Sequence, residues 1–63
     1  MPIVVVHMFE GRTIEQKRNM VQKMTDAVVT SLGVPPEDVK IILQDMPRHN
    51  VATAGVLASD KKG

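Results

Sequence analysis

The residues of this chain whose types and positions suit chemistry are few: Pro2, Arg12, Lys40 and two histidines, His7 and His49. Pro2 directly follows Met1. A small residue there permits removal of the initiator methionine, which leaves a free prolyl amine. An unperturbed α-amino group titrates at about 7.7–8.0, and a secondary amine is intrinsically somewhat more basic. Low dielectric and neighbouring cations disfavour the ammonium and pull that value toward neutrality. The amine is then a general base usable at physiological pH, its geometry fixed by the ring. With Met1 retained, the same nitrogen is a tertiary amide and has no basic lone pair. The plainer reading is that Pro2 simply begins a strand.

Arg12 lies in Glu10-Gly11-Arg12-Thr13, a break between two patterned segments. A guanidinium beside a helix N-terminus is electrostatically odd, because the dipole there disfavours cations. The same place suits an anionic ligand; otherwise Arg12 is an exposed loop arginine. Lys40 is a cation in an apolar run. It is either an anion contact across a subunit interface or a charge that blunts a sheet edge. A histidine such as His7 in a buried strand is more often a hydrogen-bonded core or interface group than a catalyst, and nothing pairs it with His49. No metal site is expected, since two imidazoles and no thiolate do not close a tetrahedral zinc site. The chain has no G-x-S-x-G, no P-loop and no G-x-G-x-x-G. Ser31 and Ser59 are far from either histidine in sequence.

The elements that must position these groups are well marked. Ile3 to Phe9, with three consecutive valines, predicts a strand, apolar on both alternating faces and so buried on both sides. Thr13-Ile14-Glu15-Gln16 fits a capping box, with Glu15 complementing the dipole in the first turn. Ile14, Val21, Met24, Val28 and Leu32 then form a helical apolar stripe, widened by Met20 and Ala27. Lys17, Arg18, Gln22, Lys23 and Asp26 take the other side. Gly33 stops the helix and Pro35-Pro36 forbids its continuation. One short turn is expected at Pro36-Glu37-Asp38, and a second strand over Val39 to Asp45, with Lys40, Ile42 and Gln44 on one face. Pro47 ends it. From His49 onward the pattern predicts a loop, a short hairpin around Val56-Leu57 and a frayed end, Asp60-Lys61-Lys62-Gly63. Strand, helix, strand is a βαβ unit with parallel strands. The expected class is therefore α/β, one domain over residues 1–63.

Such a unit is too small to close its own core. The chain has 63 residues, no cysteine and one aromatic residue, Phe9. Ordering it costs roughly 1.5 kcal/mol per residue, and disulfides cannot help. Yet 43% of its residues are apolar. Oligomerisation is the remaining way to cover them. Two units paired edge to edge give a four-stranded sheet with both helices on one face. The other face needs further partners. A net charge of +1, with the basic residues interleaved with acids, is no footprint for nucleic acid. The longest apolar run, Ile3 to Val6, is far short of a membrane span. No secretory pattern is recognisable, so a cytoplasmic protein is expected.

With these residues in view, the chain resembles the 4-oxalocrotonate tautomerase family. That family has very short subunits that begin Met-Pro-Ile and carry E-G-R-[ST]-x-E-Q-K at the strand-to-helix junction. Glu10-Gly11-Arg12-Thr13-Ile14-Glu15-Gln16-Lys17 matches the segment throughout, and the similarity covers essentially the whole chain. The resemblance implies a cofactor-independent keto–enol tautomerase acting on an unsaturated 2-hydroxy or 2-oxo carboxylic acid, in the setting of aromatic degradation. Pro2 would be the base, and Arg12 would bind the substrate's carboxylate and carbonyl end. It also implies a homohexamer, a trimer of dimers, with each site built from neighbouring subunits.

Two positions depart from the family. Its second catalytic arginine corresponds to Lys40, which keeps the charge and loses the planar fork. Its active-site aromatic corresponds to Val51, apolar but smaller. Both place the type substrate, 2-hydroxymuconate, in question. Two other outcomes fit the residues. One is a structural or partly active subunit of a mixed oligomer. The other is a hydratase or dehalogenase of unsaturated acids, for which no carboxylate to activate water lies between Val51 and Leu57.

Overall fold

In the computed structural model, which describes residues 1–61, the β-branched run forms strand β1, Ile3–Phe9. Strand β2, Lys40–Met46, lies parallel to it, with Ile3 opposite Lys40 and Phe9 opposite Met46. β2 therefore starts and ends one residue later than its pattern suggests. Local hydrogen bonds explain the shift. The Val39 N–H donates to the Pro36 carbonyl at 3.1 Å, closing a 3-10 turn over Pro36–Asp38, so it is spent before the ladder begins. The ladder opens with the Lys40 N–H donating to the Pro2 carbonyl at 3.0 Å. It closes with the Glu10 N–H donating to the Met46 carbonyl at 3.0 Å.

Helix α1, Ile14–Leu32, makes the crossover. Its start is the expected capping box: the Gln16 N–H donates to the Thr13 hydroxyl at 3.1 Å, and the Thr13 N–H donates to the Gln16 carboxamide at 2.9 Å. Its end is Gly33, at φ 68°, a left-handed conformation that side chains with a Cβ resist. Thr13→Ala removes one half of the box and is expected to cost about 1 kcal/mol. Denaturant unfolding at a fixed protein concentration measures that cost.

One sheet face carries Val4, Val6, Met8, Ile41 and Leu43, all half-buried against the helix. Met20, Val21, Met24 and Val28 supply the helix side of this layer. Lys17, expected on the solvated side, is half-buried too, and its ammonium meets Asp45 of β2 at 2.5 Å. Ala27 and the stripe's ends, Ile14 and Leu32, stay exposed. The opposite sheet face, with Ile3, Val5, His7, Lys40, Ile42 and Gln44, is exposed. Burial on both sides is thus not reached within one chain, because the single helix covers one side.

The deficit is measurable. A compact monomer of this mass should expose about 4000 Å², whereas the chain exposes 4946 Å². Its radius of gyration is 15.0 Å, against roughly 10–11 Å for a compact chain of this length. No described residue is fully buried.

After β2, a 3-10 turn over Arg48–Asn50 leads into an antiparallel hairpin of β3, Ala52–Thr53, and β4, Val56–Leu57. Ala54 and Gly55 form its two-residue turn with φ of 53° and 79°, the positive values that suit a twisted hairpin. A last 3-10 turn spans Ala58–Asp60. Of the expected frayed end, Lys62 and Gly63 lie outside the described residues. No described helix is long and apolar enough to cross a membrane.

Candidate active site

The backbones of Pro2 and Lys40 are joined, while the Lys40 side chain lies on the open sheet face with Ile3. Both stand at the start of the parallel pair, linked by the hydrogen bond from the Lys40 N–H to the Pro2 carbonyl. Pro2 is half-buried, while Met1 before it is 80% exposed. Extension of the chain ahead of Pro2 therefore runs into open space.

Arg12 is not brought to them. It follows the far end of β1, and a seven-residue strand at about 3.3 Å per residue puts roughly 20 Å between the two places. There Arg12 lines a shallow cavity of about 230 Å³ with Met8, Gln16, Lys17 and Met20. Gly11, at φ 116°, turns the chain out of the strand just before it. Arg12 forms no ion pair among the described residues.

Val51 lies in a third place, a cavity of about 490 Å³ at the C-terminal end of the sheet. Sequence reasoning missed two residues there. Phe9 is the chain's only aromatic, and the Arg48 guanidinium carbon sits 4.3 Å from its ring centroid. The register explains the meeting: Phe9 pairs with Met46, Pro47 turns the chain, and Arg48 comes back over the ring. A lone aromatic at a strand end was visible in the sequence, but its partner follows only from the pairing.

His7 lies opposite Gln44 on the open sheet face, and His49 is exposed in the turn after β2. They are not brought together, and no group of potential metal ligands exists among the described residues.

Comparison with known proteins settles the family. The family model described as tautomerase enzyme matches residues 2–61. This chain belongs to the tautomerase family. It is 45% identical over 60 residues to the 2-hydroxymuconate tautomerase of Bacillus subtilis, covering 95% of this chain and 97% of that one. The crystal structure of a 4-oxalocrotonate tautomerase homologue superposes with a TM-score of 0.91 at 41% identity, with both chains fully covered. A heterohexameric 4-oxalocrotonate tautomerase from Chloroflexus aurantiacus is similar with a TM-score of 0.89 at 26% identity, over 98% of this chain and 100% of the other. The tautomerase is thus an isomerase with a βαβ unit, parallel strands and a C-terminal hairpin.

Proposed function

We propose that this tautomerase interconverts the enol and keto forms of an unsaturated 2-hydroxy or 2-oxo carboxylic acid without a cofactor. With Met1 removed, the Pro2 amine takes a proton from the enol hydroxyl or an acidic carbon and returns it at a conjugated carbon. The match of the tautomerase family model over residues 2–61 supports the activity. Arg12 holds the carboxylate and stabilises the charge that develops on the oxygen, and Lys40 adds a second cation. Oriented charges in a water-poor site are usually the largest catalytic contribution. Val51 forms part of the apolar wall.

The observation that carries the reading is the separation of Pro2 with Lys40 from Arg12 along β1. One chain holds Pro2 and Arg12 at opposite ends of one strand, so a complete site needs a second copy. The exposed apolar face of the sheet is the surface through which copies assemble. The assembly in this reading is a homohexamer, a trimer of dimers; the heterohexameric Chloroflexus relative supports oligomerisation and the count of six, not identity of the subunits. A cytoplasmic setting and a role in aromatic degradation belong to the same reading. Its substrate is a small carboxylate, with no role for nucleic acid or membrane.

The test is ketonisation of phenylenolpyruvate and of 2-hydroxymuconate by purified protein, followed by ultraviolet absorbance. Turnover of at least one is expected. If neither proceeds above its spontaneous rate, the reading fails.

A further inference from the structure

Resting on that reading for what Arg12 does, we propose that Asp45 is a positioning residue: through its ion pair with Lys17 it fixes the place from which Arg12 acts. Neither Lys17 nor Asp45 has a part in the reaction as proposed above.

The loop that carries Arg12 is not held by packing. Glu10, Gly11, Arg12 and Thr13 are all exposed. A Cβ built at Gly11 would meet no atom within 4 Å. The first turn of α1 has no apolar anchor either, since Ile14 is 67% exposed and the buried stripe begins at Met20 and Val21. Polar ties hold this stretch instead, and they reach two consecutive residues of β2. Upstream of Arg12, the Glu10 N–H donates to the Met46 carbonyl at 3.0 Å. Downstream, the Lys17 ammonium meets the Asp45 carboxylate at 2.5 Å.

Lys17 passes its restraint back toward Arg12. Its backbone N–H donates to the carbonyl of Thr13, the residue after Arg12, at 3.1 Å. The capping box locks Thr13 to Gln16 by two more hydrogen bonds. This knot moves as one piece, and Asp45 fastens it to the sheet. Among the described residues, the Lys17–Asp45 contact is the one side-chain hydrogen bond that joins two elements; the others lie within α1 and its cap. Asp45 also manages charge. Lys17 lines the cavity in which Arg12 stands. Paired with Asp45, its ammonium is turned to β2, which leaves Arg12 as the cation without an ion pair there. Without Asp45, Lys17 is a stray cation that draws a carboxylate away from Arg12.

The size of the effect is bounded. The side chains of the pair are 28% and 40% exposed, and an ion pair of this kind shifts an equilibrium by up to about fivefold. The placed loop cannot lose more population than that. With whichever of phenylenolpyruvate and 2-hydroxymuconate the wild type turns over, Asp45→Ala should lower kcat about three- to fivefold. Its KM should not rise, because the stray Lys17 still attracts the anion. Lys17→Met opens the same clasp and should lower kcat equally, with a raised KM, since the unpaired Asp45 now repels the anion. The double variant should match the single losses in kcat and not sum them, as one shared interaction requires. Asp45→Glu keeps the charge and should recover most of the activity. Amide hydrogen exchange followed by NMR reads the position directly. In Asp45→Ala the bonded N–H groups of Thr13, Gln16 and Lys17 should exchange up to about fivefold faster, while those near Val28, far along α1, should not change.

With an active wild type, a kcat for Asp45→Ala within about 1.5-fold of it overturns the proposal. So do single losses that add in the double variant, and so does unchanged exchange at Thr13, Gln16 and Lys17. Wild type inert toward both substrates, with exchange quickened at those three amides alone, supports the clasp and overturns the reading of the reaction. Active wild type whose exchange and kcat ignore Asp45 does the reverse.

Discussion

A chain with one extra alanine between Met1 and Pro2 is expected to keep its fold and lose turnover by about a hundredfold to ten-thousandfold, the contribution of a positioned base. Removal of Met1 then exposes alanine, and the Pro2 nitrogen becomes an amide that cannot accept a proton. The structure explains why the fold should survive. Pro2 holds the sheet through its carbonyl, which accepts the Lys40 N–H, and an added residue leaves that bond intact. The exposed Met1 shows that chain ahead of Pro2 meets no packed neighbour in the protomer. Intact mass fixes the processing of each protein, circular dichroism checks the fold, and phenylenolpyruvate kinetics gives the effect. Pro2→Ala is the milder companion. It keeps a free amine and loses the ring, so its deficit should be smaller than that of the extended chain. Activity within about threefold of wild type in the extended chain would remove Pro2 from the chemistry.

Why the sequence exposed so much of this molecule follows from where its signals are local. The capping box at Thr13, the glycine stop at Gly33 and the valine run in β1 each depend on neighbours within a few residues, so the pattern and the outcome agree. β2 moved by one residue because Val39 had two possible partners, and the 3-10 turn took its N–H. Lys17 left the solvated face because Asp45, 28 residues away, offered a partner across the layer. Periodicity alone carries no information about such a contact. Phe9 and Arg48 are the same case at the site: 39 positions separate them, and only the register of two parallel strands and the turn at Pro47 join them. Pro2 and Arg12 were legible as individual residues through the motif around them. That they stand at opposite ends of one strand is a property of the fold, and it changes what a site can be.

That separation leads to the sharpest expectation for the assembly. Pro2→Ala and Arg12→Ala proteins should each be weak alone, the second by about a hundredfold or more if Arg12 stabilises developing charge. Mixed in equal amounts, unfolded and refolded together, they should recover roughly a quarter of wild-type activity, since interfaces between copies bring different ends of two chains together. The reasoning is statistical. Half of the sites draw their proline from an Arg12→Ala chain, and half of those draw their arginine from a Pro2→Ala chain. A site contained within one chain would gain nothing, because every chain in the mixture lacks one of the two residues. The roughly 20 Å that a seven-residue strand puts between the places of Pro2 and Arg12 excludes that arrangement. Mixing without unfolding supplies the control, since intact oligomers exchange subunits slowly if their interfaces bury the Ile3, Val5 and Ile42 face. Recovery only after refolding would tie catalysis to assembly. Equal activity in the mixed and separate samples would mean that the two half-sites do not meet, and that the small chain must find its second cation elsewhere.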